Sequence, residues 1–504
     1  VREHAALRPA QAALVQDERS LAYADLDALM DRVAAALQRD GVAPSESIAI
    51  CASASIEYAG VFLGALRAGV AVAPLAPGST PEQLAAMLRD SQARIAFLDA
   101  TGAKALEGAS VDSGLQRIAL DSSPIGQALD NWLAPVGAKP AAVATQPEWP
   151  FNIIYSSGTT GAPKGIVQPH AMRWAHVQRT EKFGYSPRTV TLIATPLYSN
   201  TTLVVFFPTL AAGGTVVLMA KFDAAAYLRL AELHRATHTM LVPVQYQRLM
   251  KLPGFDAHEL SAFEYKFCTS APFHAELKAE VLRRWPGGLV EFYGMTEGGG
   301  SCVLAAHLRP DKLHTVGQPA EGHEVKLIDH EGREVAPGGT GEVVGRSGGM
   351  MSGYHGQPEK TAEAEWHDAA GRRFIRTGDI ARFDDEGFLI LLDRKKDMVI
   401  SGGFNVYPSD LEAVLRAHDA VADVAVVGVP SAAWGETPVA FVVLSAGATA
   451  TAGELKDWAN AQLGKTQRLA DVQPVSALPR SAIGKVLKRE LREAYASLTS
   501  RTNP

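Results

Sequence analysis

Between Leu26 and Leu98 the chain switches repeatedly between two hydrophobic patterns. Leu26 to Arg39, Ile56 to Ala68 and Pro81 to Ser91 carry apolar residues at helical spacing, while SIAICA, AVAPL and IAFL are short unbroken apolar runs. Short runs of this kind read as buried strands and the longer periodic segments as helices. Their alternation predicts a mostly parallel sheet covered by helices. A second alternating set runs from Val190 to about Tyr293, with strands TLIATP, GTVVLM and HTMLVP and a helix from Ala224 to His234. From about Val316 the texture changes to EVKLID, HEGREV and PGGTGEVVG, the signature of hairpins in an antiparallel β subdomain packed on the first unit.

Within GFLILLDRKKDMVISGG a strand runs into five consecutive charged residues, Asp393 to Asp397, and then into another strand and glycines. A charged run between two well-patterned regions reads as a hinge or linker. Beyond it lie a helix from Asp410 to Ala417, strands VADVAVVGV and PVAFVVL, a helix from Glu454 to Leu463 and a terminal helix from Lys485 to Ala496. The expected fold class is therefore α/β. A large N-terminal domain (1–392) of layered α/β sheets plus a β subdomain precedes a small mobile α+β C-terminal domain (393–504).

Composition narrows the function. The 504 residues are 47% apolar and 20% charged, as in a folded globular chain of about three domain-sized units. The net charge of -6 gives no sign of nucleic-acid or anionic-membrane binding, so any phosphate must be held locally. Cys51, Cys268 and Cys302 lie far apart with no CxxC pair, which fits a reducing, cytoplasmic setting. The opening VREHAALRPAQ lacks an apolar core, so it does not read as a secretory signal, and the absent Met points to a trimmed start. Leu203 to Ala220 is long and apolar, but Pro208 and Gly213-Gly214 favour a helix turning into a buried strand over a membrane span.

The richest motif is Tyr155-Ser156-Ser157-Gly158-Thr159-Thr160-Gly161-Ala162-Pro163-Lys164-Gly165, directly after the apolar run FNII. Glycines that turn backbone N–H groups inward, hydroxyl donors and one lysine together suit a phosphate. It is not a Walker A loop, because Pro163 precedes the lysine and Gly165 follows it. Read alone, it is equally an ordinary Ser/Thr/Gly turn. Further along come Glu291-Phe292-Tyr293-Gly294-Met295-Thr296-Glu297, Arg376-Thr377-Gly378-Asp379, Asp393-Arg394-Lys395-Lys396-Asp397 and Pro479-Arg480-Ser481-Ala482-Ile483-Gly484-Lys485. In this order the strings resemble the phosphate loop, the Tyr-Gly-x-Thr-Glu motif, the Thr-Gly-Asp motif, the hinge and the terminal lysine motif of the acyl-adenylate-forming enzymes. That family holds acyl-CoA synthetases, peptide-synthetase adenylation domains and beetle luciferases.

The resemblance implies a two-step ligase using ATP, Mg²⁺ and coenzyme A. A carboxylate attacks the α-phosphorus, pyrophosphate leaves, and a thiol then displaces AMP while the small domain swings about its hinge. Carried over residue by residue, Lys485, Thr296 and Glu297 are catalytic. Ser156, Ser157, Gly158, Thr159, Thr160, Gly161, Lys164, Tyr293, Gly294, Asp379 and Arg394 hold ATP. Thr160 and Glu297 serve the metal, for which hard oxygen ligands are suited. An ionised Asp379 has two acceptor oxygens for ribose hydroxyls, and Lys485 would bring a point charge to the α-phosphate. Lys396 is the hinge, and Gly402, Gly403 and Trp434 face CoA.

The acid pocket, by the same resemblance, draws on Tyr198, Ser199 and Asn200, on Thr269 and Ser270, and on Gly298 with the segment to Cys302. Ser199 stands where many acyl- and aryl-CoA synthetases have histidine and amino-acid-activating domains have aspartate. An ammonium group therefore has no obvious partner, and amino acids are disfavoured. Gly298-Gly299-Gly300 either leaves room for a bulky acid or marks a backbone turn. Tyr198, Ser199, Asn200, Ser270 and Ser301 either bind a substrate hydroxyl or satisfy nearby backbone. The chain looks somewhat like ligases for short branched 2-hydroxy acids such as 2-hydroxyisobutyrate, rather than those for fatty or aryl acids.

Other chemistries have less support. His323-Glu324 has Leu327 where a zincin needs its second histidine, and Gly345-Arg346-Ser347-Gly348-Gly349 fits GxSxG but leads into no helix. Two alternatives stay open. One is a ligase loading a separate carrier protein, since the stretch after Lys485 is too short for a carrier domain. The other is a non-catalytic nucleotide-binding protein. Nothing in the sequence excludes a homodimer.

Overall fold

The computed structural model describes residues 1–156, 164–401, 404–464, 467–481 and 484–502. They form two compact units: 1–325 with 345–375, and 326–344 with 376–504. The boundary runs through strands Glu324–Ile328, Thr340–Arg346 and Arg373–Phe383. The hairpin texture expected after Val316 is present, as in the antiparallel pair Arg373–Phe383 and Leu389–Arg394. Its strands fall on both sides of that division.

In the first unit, one sheet centres on parallel strands Pro150–Ser156, Ala71–Leu75, Ser47–Cys51, Ile95–Leu98 and Gln116–Ala119, neighbours in that order. Every residue of Ala71–Leu75 and Ser47–Cys51 is buried, which is why both read as unbroken apolar runs. The intervening helices begin where the sequence supplies caps. Ser55 accepts from the Tyr58 N–H ahead of Ile56–Arg67, and Thr80 with Gln83 forms a capping box ahead of Pro81–Ser91.

The second sheet of this unit runs Gly288–Tyr293, Tyr265–Cys268, His238–Leu241, Val190–Ile193, Thr215–Leu218 and Ala12–Gln16, all parallel, with antiparallel strands added at both edges. The long apolar stretch resolves into the buried helix Asn200–Ala211 followed by Thr215–Leu218. No helix among the described residues is long and apolar enough to cross a membrane. Phe62, Phe151 and Phe207 meet edge to face or tilted, with centroids 4.8–6.2 Å apart. Each such contact adds about 0.5–1.5 kcal/mol to the burial itself, and together they join two helices to the strand that leads into the phosphate motif. The three cysteines are buried and unpaired.

The second unit contains the antiparallel pair Val421–Ser431 and Gly435–Leu444, and the free edge of Gly435–Leu444 pairs with Val399–Ser401 (antiparallel) at its start and with Asp471–Pro474 (parallel) further along. Helices Pro408–Arg416 and Ala452–Gln462 cover it, and Val426, Val442, Leu411, Leu415 and Leu455 form its core. The terminal helix begins at Lys488. Lys485 therefore precedes the helix it was expected to open, in a segment closed by the Arg480–Val486 bridge and by Ser481 N–H donating to the Lys485 carbonyl at 2.8 Å.

Candidate active site

Strand ends position the candidate residues of the first unit. In parallel sheets, ligands collect beyond the carboxyl ends of strands. Pro150–Ser156 leads into the phosphate motif, Val190–Ile193 into Tyr198-Ser199-Asn200, Tyr265–Cys268 into Thr269-Ser270, and Gly288–Tyr293 into Gly294 and Glu297. Ser157, Gly158, Thr159, Thr160 and Gly161 lie outside the described residues. The flanks of that loop are paired, with Ser156 opposite Lys164 in an antiparallel register. Tyr155 donates its hydroxyl to Asp90 at 2.6 Å.

The Lys164 ammonium lies 5.0 Å from the centre of the Tyr354 ring, and the Tyr354 hydroxyl donates to Glu297 Oε1 at 2.9 Å. Burial and the Glu297 charge push the Tyr354 phenol upward, so it stays a donor. Tyr354 thus ties the exit of the phosphate motif to the Thr-Glu turn, a role that its setting in MSGYHG did not signal. Glu297 offers hard oxygen to a cation. Among the described residues no group of three or more His, Cys, Asp or Glu could cage a metal. One carboxylate completed by phosphate oxygens is a coordination that suits Mg²⁺, so the residues present fit that ion.

A buried polar network continues from this turn. Gln168 Nε2 donates to the Thr296 carbonyl at 2.7 Å and to Asn200 Oδ1 at 3.3 Å. Arg173 Nη2 donates to Gln168 Oε1 (2.6 Å), Asn200 Oδ1 (3.0 Å) and Asn152 Oδ1 (3.2 Å). Gln168 and Arg173 belong to none of the motifs described above. The available signal was polar residues inside apolar strands, Asn152 in FNII and Gln168 in GIVQP, which must find partners when buried.

Several of the candidate acid-pocket residues are already engaged by neighbouring groups. Ser199 caps Asn200–Ala211 by accepting from the Thr201 N–H at 3.3 Å. Thr269 donates to the Phe292 carbonyl at 2.8 Å, and the Ser270 and Thr201 hydroxyls lie 2.6 Å apart. Ser270 holds φ +81°, an uncommon conformation for a residue with a side chain. Burial raises the pKa of the half-buried Tyr198. The glycine triplet is explained by backbone approach. A Cβ on Gly298 (φ +77°) would lie 2.1 Å from the Gly349 carbonyl oxygen, and one on Gly300 would lie 2.6 Å from that of Glu324.

In the second unit, Asp379 and Arg394 face each other across paired strands and form an ion pair of 3.0 Å. The Lys395 N–H donates to the Gly378 carbonyl at 2.8 Å. Burial, then Arg394 and Lys396, push the Lys485 ammonium down to about 8. Burial likewise lowers Lys396. The charged run is anchored at its start, since Asp393 accepts from the N–H groups of Arg394 (2.7 Å) and Ser409 (2.9 Å), the latter at the start of helix Pro408–Arg416. Gly402 and Gly403 lie outside the described residues. Trp434 is 60% exposed, at the turn into Gly435–Leu444.

Comparison with known proteins bears directly on this arrangement. The AMP-binding enzyme family matches residues 1–355, and the AMP-binding enzyme C-terminal domain matches residues 410–485. The chain is 33% identical to an indoleacetate–CoA ligase of Aromatoleum aromaticum, over 98% of this chain and 97% of that one. It is 30% identical to a fatty acid–[acyl-carrier-protein] ligase of Streptomyces coeruleorubidus, over 98% and 95%. Among solved structures, ATP-bound MatB from Rhodopseudomonas palustris is similar with a TM-score of 0.85 and 29% identity, covering 98% of each chain. The chain belongs to the AMP-binding enzyme family.

Proposed function

We propose that this protein is an AMP-forming acid–thiol ligase that converts a carboxylic acid, ATP and CoA into acyl-CoA, AMP and pyrophosphate. Its cofactors are ATP, Mg²⁺ and coenzyme A. What carries the reading is the meeting of Lys164, Tyr354 and Glu297 beside strand ends that also present Asn200, Thr269 and Ser270. Catalysis of adenylation is then largely positioning and charge stabilisation. Ser156, Ser157, Gly158, Thr159, Thr160, Gly161 and Lys164 bind the phosphates. Tyr293, Gly294, Asp379 and Arg394 bind the remainder of the nucleotide, with Asp379 accepting from the ribose. Lys485 offsets charge that develops on the α-phosphate. Thr160 and Glu297 would hold Mg²⁺, which neutralises phosphate charge when bound. Residues 1–392 act as the large domain and 393–504 as the lid, with Lys396 at the hinge and Gly402, Gly403 and Trp434 toward CoA.

For the acid we read a short branched or 2-hydroxy acid, rather than a fatty or aryl one. Support comes from Ser199 at the histidine position, from the paired hydroxyls of Ser270 and Thr201, and from a glycine triplet that adds no room. A second reading, acyl transfer to a separate carrier protein, draws support from the carrier-loading relative. Pyrophosphate release with ATP and Mg²⁺ across aliphatic, branched, aryl and hydroxy acids, with and without CoA, tests all of this. CoA-dependent turnover on one class is expected. Slow release indifferent to CoA would favour the carrier, and silence with every acid would sink the enzyme reading.

A further inference from the structure

Beside the proposed acid pocket lies a group of basic side chains whose charge no described carboxylate balances. Helix His170–Val177 directs Arg173 and His176 inward, and Arg179 follows its end. Arg173 is 2% exposed, sits over the rings of Phe151 and Phe207, and has an Nε with no hydrogen-bond partner among the described residues. Arg179 is half-buried, and it forms no ion pair with any described residue. Its guanidinium Nη2 instead lies 2.9 Å from His323 Nε2.

The tautomer of His323 makes this contact informative. The Ser301 N–H donates to His323 Nδ1 at 3.0 Å, and a neutral ring that keeps this bond carries its proton on Nε2. Burial and the Arg179 charge keep the ring neutral, with its pKa pushed down to about 4. An N–H of the imidazole and an N–H of Arg179 then face the same space, two donors with no acceptor among the described residues between them. Partly buried cations are normally paired. A carboxylate is the group that accepts from both, with one oxygen for the ring and one for the guanidinium.

The location ties this donor pair to the acid. His323 contacts Ser301, on the segment assigned to the acid pocket, while Arg173 on the adjoining helix contacts Asn200, on another. We propose that Arg179 and His323 bind a second carboxylate of the substrate, so that the acid is a short dicarboxylic acid activated at one end only. The inference rests on the ligase reading above and puts a short diacid in place of the branched or 2-hydroxy acid read there. One carboxylate oxygen forms the bond to the α-phosphorus as pyrophosphate leaves, and the distal carboxylate stays ionised and unchanged.

The test compares succinate with butyrate and glutarate with valerate, using CoA-dependent pyrophosphate release by the full chain. The wild type is expected to favour the diacid in kcat/KM by tenfold or more. Arg179→Gln should lower kcat/KM for the diacid about 10- to 100-fold, the range for a hydrogen bond to a charged group. The loss should fall mainly in KM, and Arg179→Lys should restore part of it. Thermal stabilisation by succinate, present in the wild type and absent in Arg179→Gln, provides a readout independent of turnover. Turnover of butyrate and valerate with no preference for diacids overturns this inference and leaves the ligase standing. A preference that Arg179→Gln does not change also overturns it. Pyrophosphate from no acid at all overturns both readings.

Discussion

Lys485 shows how a single side chain combines sequence and environment. A lysine near a chain end is ordinarily solvated and charged well above neutral pH, whereas here burial with Arg394 and Lys396 brings its pKa from 10.5 to about 8. If its charge serves the α-phosphate, adenylation should fall as the pH rises through about 8, and Lys485→Arg should move that fall to higher pH. A fall at the same pH in the arginine variant would assign the titration elsewhere. Lys485→Ala should lose about 10²- to 10³-fold in adenylation, the usual effect of removing one transition-state donor. The variant should still form thioester from preformed acyl-adenylate. Equal loss in both half-reactions would contradict the role. The linkage has a definite sign. The folded state binds fewer protons than the unfolded between about 8 and 10.5, so stability from this group rises with pH across that window.

Strands and helices place these side chains, and two features control the placement of the Thr-Glu turn. Lys278, on helix Ala275–Arg284, is buried against Glu291 in the strand that leads into the turn, and it donates to the carbonyls of Leu313 (2.8 Å) and Thr315 (2.9 Å). Lys278→Met should cost about 3–5 kcal/mol, because it strands a buried carboxylate. The pair Lys278→Met with Glu291→Leu should recover much of that loss in urea unfolding. If the double variant is no more stable than the single, the charge argument fails. The second feature is the glycine triplet. A methyl group at Gly300 would meet Glu324, Val325 and Gly345 at 2.6–2.8 Å. Gly300→Ala should therefore cost about 1–3 kcal/mol as overpacking and lower kcat/KM for all acids alike. Selective loss of larger acids would instead make the triplet a pocket wall.

Across the whole molecule, the two compact units have separate cores, with Phe62, Phe151 and Phe207 in one and Leu411, Val426 and Leu455 in the other. Separate cores of this kind depart from two-state behaviour. Calorimetry should resolve two transitions. Lys278→Met should lower the one belonging to the first unit, and Leu411→Ala, at about 2–5 kcal/mol, should lower the other. Coincident shifts from both variants would show a single cooperative body.

The sequence alone determined which segments are helix or strand in both alternating regions, because fully buried parallel strands need unbroken apolar runs and the helices carry their own caps. Pro81–Ser91, Ala71–Leu75 and Ile95–Leu98 were legible to the residue. Sequence order also determined the family, since ordered motifs from Tyr155 to Lys485 survive without any contact being known. Tertiary structure decided the rest. It fixed the unit boundary within strands, the start of the last helix at Lys488 and the reason for Gly298 and Gly300. It also decided the partners of Gln168, Arg173, Tyr354 and Glu297, and of Arg179 and His323. These depend on which groups meet across long chain separations, and a buried polar group's role follows from its partners, which no local pattern encodes.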